Sequence, residues 1–147
     1  MLVIIGTLTA IAVPRYANFL ARQQLDAAVR RVNADLAYAQ RRAKTLSQSQ
    51  TVTFAVDLDN YKIQGMPDPD RSNKLHKVEL GKDPYNAEIV SADLGGDAEI
   101  VFDGFGVPDS AGTIIVQVNN RQTTITIGLD SGMLISIPLE KKGVLVE

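Results

Sequence analysis

His76 is the only histidine in the 147 residues and there is no cysteine, so no second donor exists to complete a zinc site or a thiol dyad. It stands between Leu75 and Lys77, at an expected join of loop and strand, and is read as an ordinary residue. Serines occur at positions 47, 49, 72, 91, 110, 131 and 136, and none lies within a Gly-x-Ser-x-Gly elbow. A Ser-His-Asp triad would have to use His76, and nothing in the pattern supports one. Gly104 and Gly106 belong to Asp103-Gly-Phe-Gly, but no helical run follows to present a phosphate-binding N-terminus. Calcium is the least poor metal idea. Asp57-Leu-Asp-Asn and Pro67-Asp-Pro-Asp each place hard oxygens two residues apart in a turn, yet both lack the remaining ligands of a calcium loop. Asp and Asn at turns ordinarily bond their own backbone. No catalytic, cofactor or metal residue is therefore assigned, and the chain is expected not to be an enzyme.

Charge is unevenly divided. From residue 15 to 44 seven basic residues face two acidic ones, Asp26 and Asp35, for a balance of +5; from 45 to 147 eight basic residues face fifteen acidic ones, for −7. Arg41, Arg42 and Lys44 are read as a solvated helix face rather than a phosphate patch. The acidic C-terminal part disfavours a general nucleic-acid partner, which needs a basic footprint. The charge split is read first as a solvated helix on an acidic domain, and alternatively as a basic stem that meets acidic heads of neighbouring copies or anionic lipid.

Two periodicities set the elements. Leu25, Val29, Val32, Leu36, Ala39, Ala43 and Leu46 recur at steps of three and four, the stripe of a helix that buries one face. Its lower half is alanine, which favours close docking on a sheet of the same domain over an autonomous coiled coil. From about residue 50 the period becomes two and β-branched residues dominate. Thr51-Val-Thr-Phe-Ala-Val, a turn at Asp57-Leu-Asp-Asn and Tyr61-Lys-Ile-Gln predict a hairpin, followed by a loop over 65–75. Further strands are expected at 77–80, 87–94, 98–102, 113–119, 123–129 and 133–139, giving seven or eight in a small antiparallel meander or sandwich. The fold class is α+β, with an apolar helix over 1–22, its amphipathic continuation over 23–48 and a β-rich head over 49–147.

Residues 1–13 carry no charge. At about 1.5 Å per residue they rise only about 20 Å, short of the roughly 30 Å hydrocarbon core of a bilayer. Either the sequence begins inside a longer apolar helix, the reading favoured here, or the segment lies in a protein core, or Tyr16, Ala17, Phe19, Leu20 and Ala21 complete it with Arg15 snorkelling. Leu2, Ile4, Ile5, Gly6, Leu8, Ile11, Val13 and Pro14 are assigned to membrane and helix–helix packing, with Pro14 expected to bend or locally melt the helix.

Val3-Ile-Ile-Gly-Thr-Leu-Thr-Ala-Ile-Ala-Val-Pro-Arg-Tyr resembles the N-terminal helix of type IV pilins and of type II secretion pseudopilins, with a glycine some eight residues before a proline. Asp35-Leu-Ala-Tyr-Ala-Gln-Arg-Arg-Ala, Thr51-Val-Thr-Phe, Phe102-Asp-Gly-Phe-Gly-Val-Pro, Thr124-Ile-Thr-Ile and Ser131-Gly-Met are similar to the GspH/FimT branch. The resemblance implies a pilin-like fold and a structural subunit of a pilus or pseudopilus. Its partners would be copies of itself and other pilins or pseudopilins in a helical filament. It also implies single-pass residence in the bacterial cytoplasmic membrane before assembly, and processing by a prepilin peptidase. The family's glutamate and peptidase site, upstream of the glycine matched by Gly6, do not stand in this sequence. A different reading is a minor tip pilin that binds DNA or a secretion substrate, which a basic cluster in the head would favour.

Overall fold

The computed structural model describes the backbone of residues 2–69, 71–129 and 134–139, and side chains within 15–69 and 71–129. Helix α1, Leu2–Leu46, is 45 residues long, about 68 Å at ~1.5 Å per residue. Its backbone passes Pro14 without a break. The proline removes one N–H donor, but the expected local melting does not occur. At the other end Ser47 adopts φ 51°. The N–H of Gln48 donates to the Ala43 carbonyl at 3.2 Å and that of Ser47 to Lys44 at 3.3 Å, the paired bonds of a left-handed C-terminal cap.

Among the described residues eight strands follow. β1 (Gln50–Ala55), β2 (Asn60–Asp68), β3 (Arg71–Glu79) and β5 (Glu99–Phe102) form one antiparallel sheet in the order β3-β2-β1-β5. β4 (Glu88–Asp93), β6 (Gly112–Val118), β7 (Arg121–Ile127) and β8 (Leu134–Leu139) form a second, in the order β4-β6-β7-β8. Alternation of small polar and β-branched residues explains the strands: in β6 and β7, Ile114, Val116, Val118, Ile125 and Ile127 are buried while Thr113, Gln117, Thr124 and Thr126 point the other way.

One expectation is corrected. Positions 65–75 are not a free loop, because β2 runs on to Asp68 and β3 already begins at Arg71. The pairing skips between Ile63 and Pro67 and again between Pro67 and Asp68. These bulges accommodate a residue that cannot donate to the ladder, with Gly65 at φ 68° where the first bulge forms. The result is a hairpin arm whose residues 71–75 are exposed on both faces.

Among the described residues an apolar core joins α1 to both sheets. The helix touches β1 and β5 of the first and β6, β7 and β8 of the second. Asp59, in the turn after β1, ties the sheets together at one end. Its carbonyl accepts the N–H of Leu80 at 2.8 Å, and its carboxylate Oδ1 accepts the N–H of Ile89 in β4 at 2.8 Å. The left-handed φ of 47° at Asp59 is one that Asp tolerates better than most residues.

The helix cap yields a test. Ser47→Gly relieves the strain of a side chain at positive φ and is expected to stabilise the protein by about 1 kcal/mol, read as an upward shift of the thermal midpoint. An unchanged or lower midpoint would show that the serine is not strained there.

Candidate functional site

Several residues first weighed for chemistry are spent on structure, while Asp70, Ser131 and the side chain of Ser136 lie outside those described. Asp103 Oδ1 accepts the N–H groups of Phe105 at 2.9 Å and Val107 at 2.8 Å, so its turn is closed by its own carboxylate. Gly106, at φ 76°, lies under the Lys44 stem, where an added Cβ would come within 2.3 Å of the lysine Cε. Its carbonyl accepts a hydrogen bond from Gln40 Nε2 at 2.8 Å. Arg42 donates to Gln50 Oε1 at 3.1 Å and to the Gly65 carbonyl at 3.1 Å, tying the helix end to β1 and β2. Among the described residues no group of three or more His, Asp or Glu side chains is placed to hold a metal ion.

His76 is less ordinary than its sequence neighbours suggest. It is buried in β3, and its Nε2 lies 3.4 Å from the Arg31 guanidinium and 3.6 Å from Asp35 Oδ2. The same Asp35 oxygen accepts the Tyr61 hydroxyl at 2.6 Å and Arg31 Nε at 3.0 Å. Burial, and then the Asp35 charge, push the Tyr61 hydroxyl well above its ordinary value of 10.0, so it remains a neutral donor. Burial works against the charged Arg31, but Asp35 more than offsets it and raises the guanidinium further. His76 Nδ1 has no hydrogen-bond partner among the described residues. The geometry of this group is that of a polar clasp fixing the rotation of α1 against β2 and β3. The Arg31 and Asp35 pair at i,i+4 was readable in the sequence, whereas Tyr61 and His76 reach it only through the hairpin.

The helix itself is divided. Leu25, Val29, Val32, Leu36, Ala39 and Ala43 are buried against the head, joined by Ala21 and Ala28. Leu46, assigned to the same stripe, is 49% exposed. It is the last helical residue, and the chain turns away at Ser47 before a sheet can cover it. Toward the other end, residues 15–20 are exposed all round the helix. Tyr16 is 69% exposed, Phe19 59% and Leu20 41%. Three large apolar side chains within five residues are thus exposed together. The side chains of Leu2, Ile4, Ile5, Gly6, Leu8, Ile11, Val13 and Pro14 lie outside those described. Among the described residues no helix is long and apolar enough to cross a membrane.

The clasp gives a pH-dependent expectation. Because the folded Tyr61 hydroxyl is raised, the unfolded chain loses that proton first, so stability is full below pH 10.0 and declines above it. The decline approaches about 1.4 kcal/mol per pH unit for this one group. Tyr61→Phe is expected to cost about 1.5–3 kcal/mol at neutral pH and to flatten that alkaline decline. Urea midpoints measured from pH 8 to 11 decide it; an identical decline in the variant would contradict the clasp.

No family profile and no curated protein sequence matches the chain. Solved structures do. A crystal structure of the type IV minor pilin FimU of Pseudomonas aeruginosa PAO1 is similar with a TM-score of 0.56 at 17% identity, over 82% of this chain and 92% of that one. A second crystal form of FimU gives a TM-score of 0.55 at 16% identity, over 78% and 93%. The likeness is one of architecture, and the α+β arrangement of one long helix laid across antiparallel sheets is pilin-like.

Proposed function

We propose that the chain is a structural subunit of a type IV pilus-like or type II secretion pseudopilus filament, assembled through its N-terminal hydrophobic helix. The observation that carries this reading is the division of α1. One length buries a face in the head, while the length before it presents Tyr16, Phe19 and Leu20 exposed. The likeness to a minor pilin supports it. In this reading residues 1–22 are the membrane and filament-core segment, 23–48 the docked continuation and 49–147 the head.

Before assembly the apolar segment is held in the cytoplasmic membrane; afterwards it packs against equivalent helices of other pilins or pseudopilins. At about 25 cal/mol per Å², exchanging lipid for apolar neighbours changes little in net exposure, so extraction is feasible when subunits replace the lipid. Gly6, Thr7, Thr9, Ala10 and Ala12 are small enough for close helix approach. Any prepilin peptidase would act upstream of Gly6. The reading assigns no catalytic step.

Sedimentation and negative-stain microscopy of the sheared extracellular fraction test it. The wild type is expected to give polymers containing this chain. Ile11→Asp is expected to reduce their yield by more than about tenfold, since a charge at the centre of an apolar helix costs about 2.5–3.5 kcal/mol or more; Gly6→Leu is expected to reduce it through lost close packing. Unaltered yield in both variants, or no polymer from the wild type, would count against assembly through this helix.

A further inference from the structure

The outer face of the first sheet is charge-polarised. Lys77 of β3 pairs with Lys62 of β2, Lys62 with Thr53 of β1, and Thr53 with Glu99 of β5. Val52 and Phe54 are buried, so this row lies on the side away from the core. It runs from two lysines at one edge to a carboxylate at the other, across three strand spacings of about 4.8 Å each.

Each edge enlarges its end of the row. On the β2–β3 side Lys62, Arg71, Lys74 and Lys77 surround a hollow of about 590 Å³, together with Asp68, Glu79 and the exposed Leu75. Lys62 directly opposite Lys77 is a like-charge pair that costs stability on a bare surface. Glu79 relieves Lys77 at 3.0 Å but is shared with Lys82 at 2.7 Å, and this double hydrogen bonding holds its carboxyl down at about 2. Among the described residues no ion pair engages Lys62, Arg71 or Lys74. On the β5 side Glu99 is flanked by exposed Asp97, Asp103 and Asp109, whose carboxylates accept backbone N–H groups and meet no cation among the described residues.

We infer that this face is a head-to-tail interface, in which the basic β2–β3 edge of one head docks on the acidic β5 edge of a second copy. The inference rests on the filament reading and deepens it. Both complementary surfaces stand on one chain at opposite edges of one sheet, so the contact is heterologous. Such contacts propagate into open helical arrays rather than closing a dimer. A hollow holding two carboxylates and an exposed leucine fits the mixed rim of a protein partner better than nucleic acid, which asks for a uniformly cationic track or stacking aromatics.

The chain has no cysteine, which makes directed cross-linking clean. Lys74→Cys and Asp97→Cys full-length chains are co-expressed and the membranes and sheared fraction treated with a short bismaleimide. The expected result is linked dimers when both variants are present and none from either alone. Adding Lys62→Glu to the Lys74→Cys chain is expected to lower the yield about fivefold, with recovery when Glu99→Lys is placed in the Asp97→Cys chain. Circular dichroism checks that each variant is folded. Wild-type polymers without heterodimer links, or links indifferent to Lys62→Glu, overturn this interface and leave the filament reading standing. Absence of any polymer overturns both. Retention of a short DNA duplex that Lys62→Glu abolishes, without heterodimer links, gives the basic edge to nucleic acid and overturns the inference.

Discussion

The described core depends on one seam, the apolar stripe of α1 packed against strands of two sheets. Val32, Leu36 and the alanines 28, 39 and 43 are buried there almost completely. Burying a leucine or valine stabilises by about 1.5–3 kcal/mol, and each alanine lets sheet side chains approach the helix backbone. Isoleucines 100, 114 and 125 occupy the other side of the same core. Remove the helix and the inner faces of both sheets open to water together. The helix is thus a structural member of the head as well as an extension from it.

Polar contacts then set direction rather than bulk stability. Asp35 receives Tyr61 and Arg31 at one point of the seam, which fixes how α1 is rotated. Arg42 and Gln40 hold its last turns to the first two strands and to the Gly106 turn. A helix clamped in rotation projects Tyr16, Phe19 and Leu20 in defined directions from the head. In the proposed filament every copy would then offer the same apolar surface at the same angle to its neighbours.

Much of this was legible in the sequence, for identifiable reasons. The steps of three and four from Leu25 to Ala43 coincide with the buried face because helix geometry maps spacing directly onto direction. The strands followed from alternation, and outside β2 and β3 their boundaries moved by only a residue or two. The hairpin arm was missed because Pro67, Pro69 and the polar run around them read as loop, while backbone pairing with bulges needs no apolar pattern. Leu46 fitted the stripe, but periodicity does not say where the covering sheet ends. The buried group around His76 was invisible because Asp35, Tyr61 and His76 are 26 and 15 residues apart along the chain and meet only through strand register.

The central claim is that one helix serves two burial environments, its own head and its neighbours. Hydrogen exchange read by mass spectrometry, on sheared polymers and on detergent-solubilised subunits, addresses it most directly. The account predicts protection of residues 21–43 in both states and of residues 15–20 only in the polymer. Equal exchange of 15–20 in the two states would show that neighbours do not cover this segment and would contradict the account.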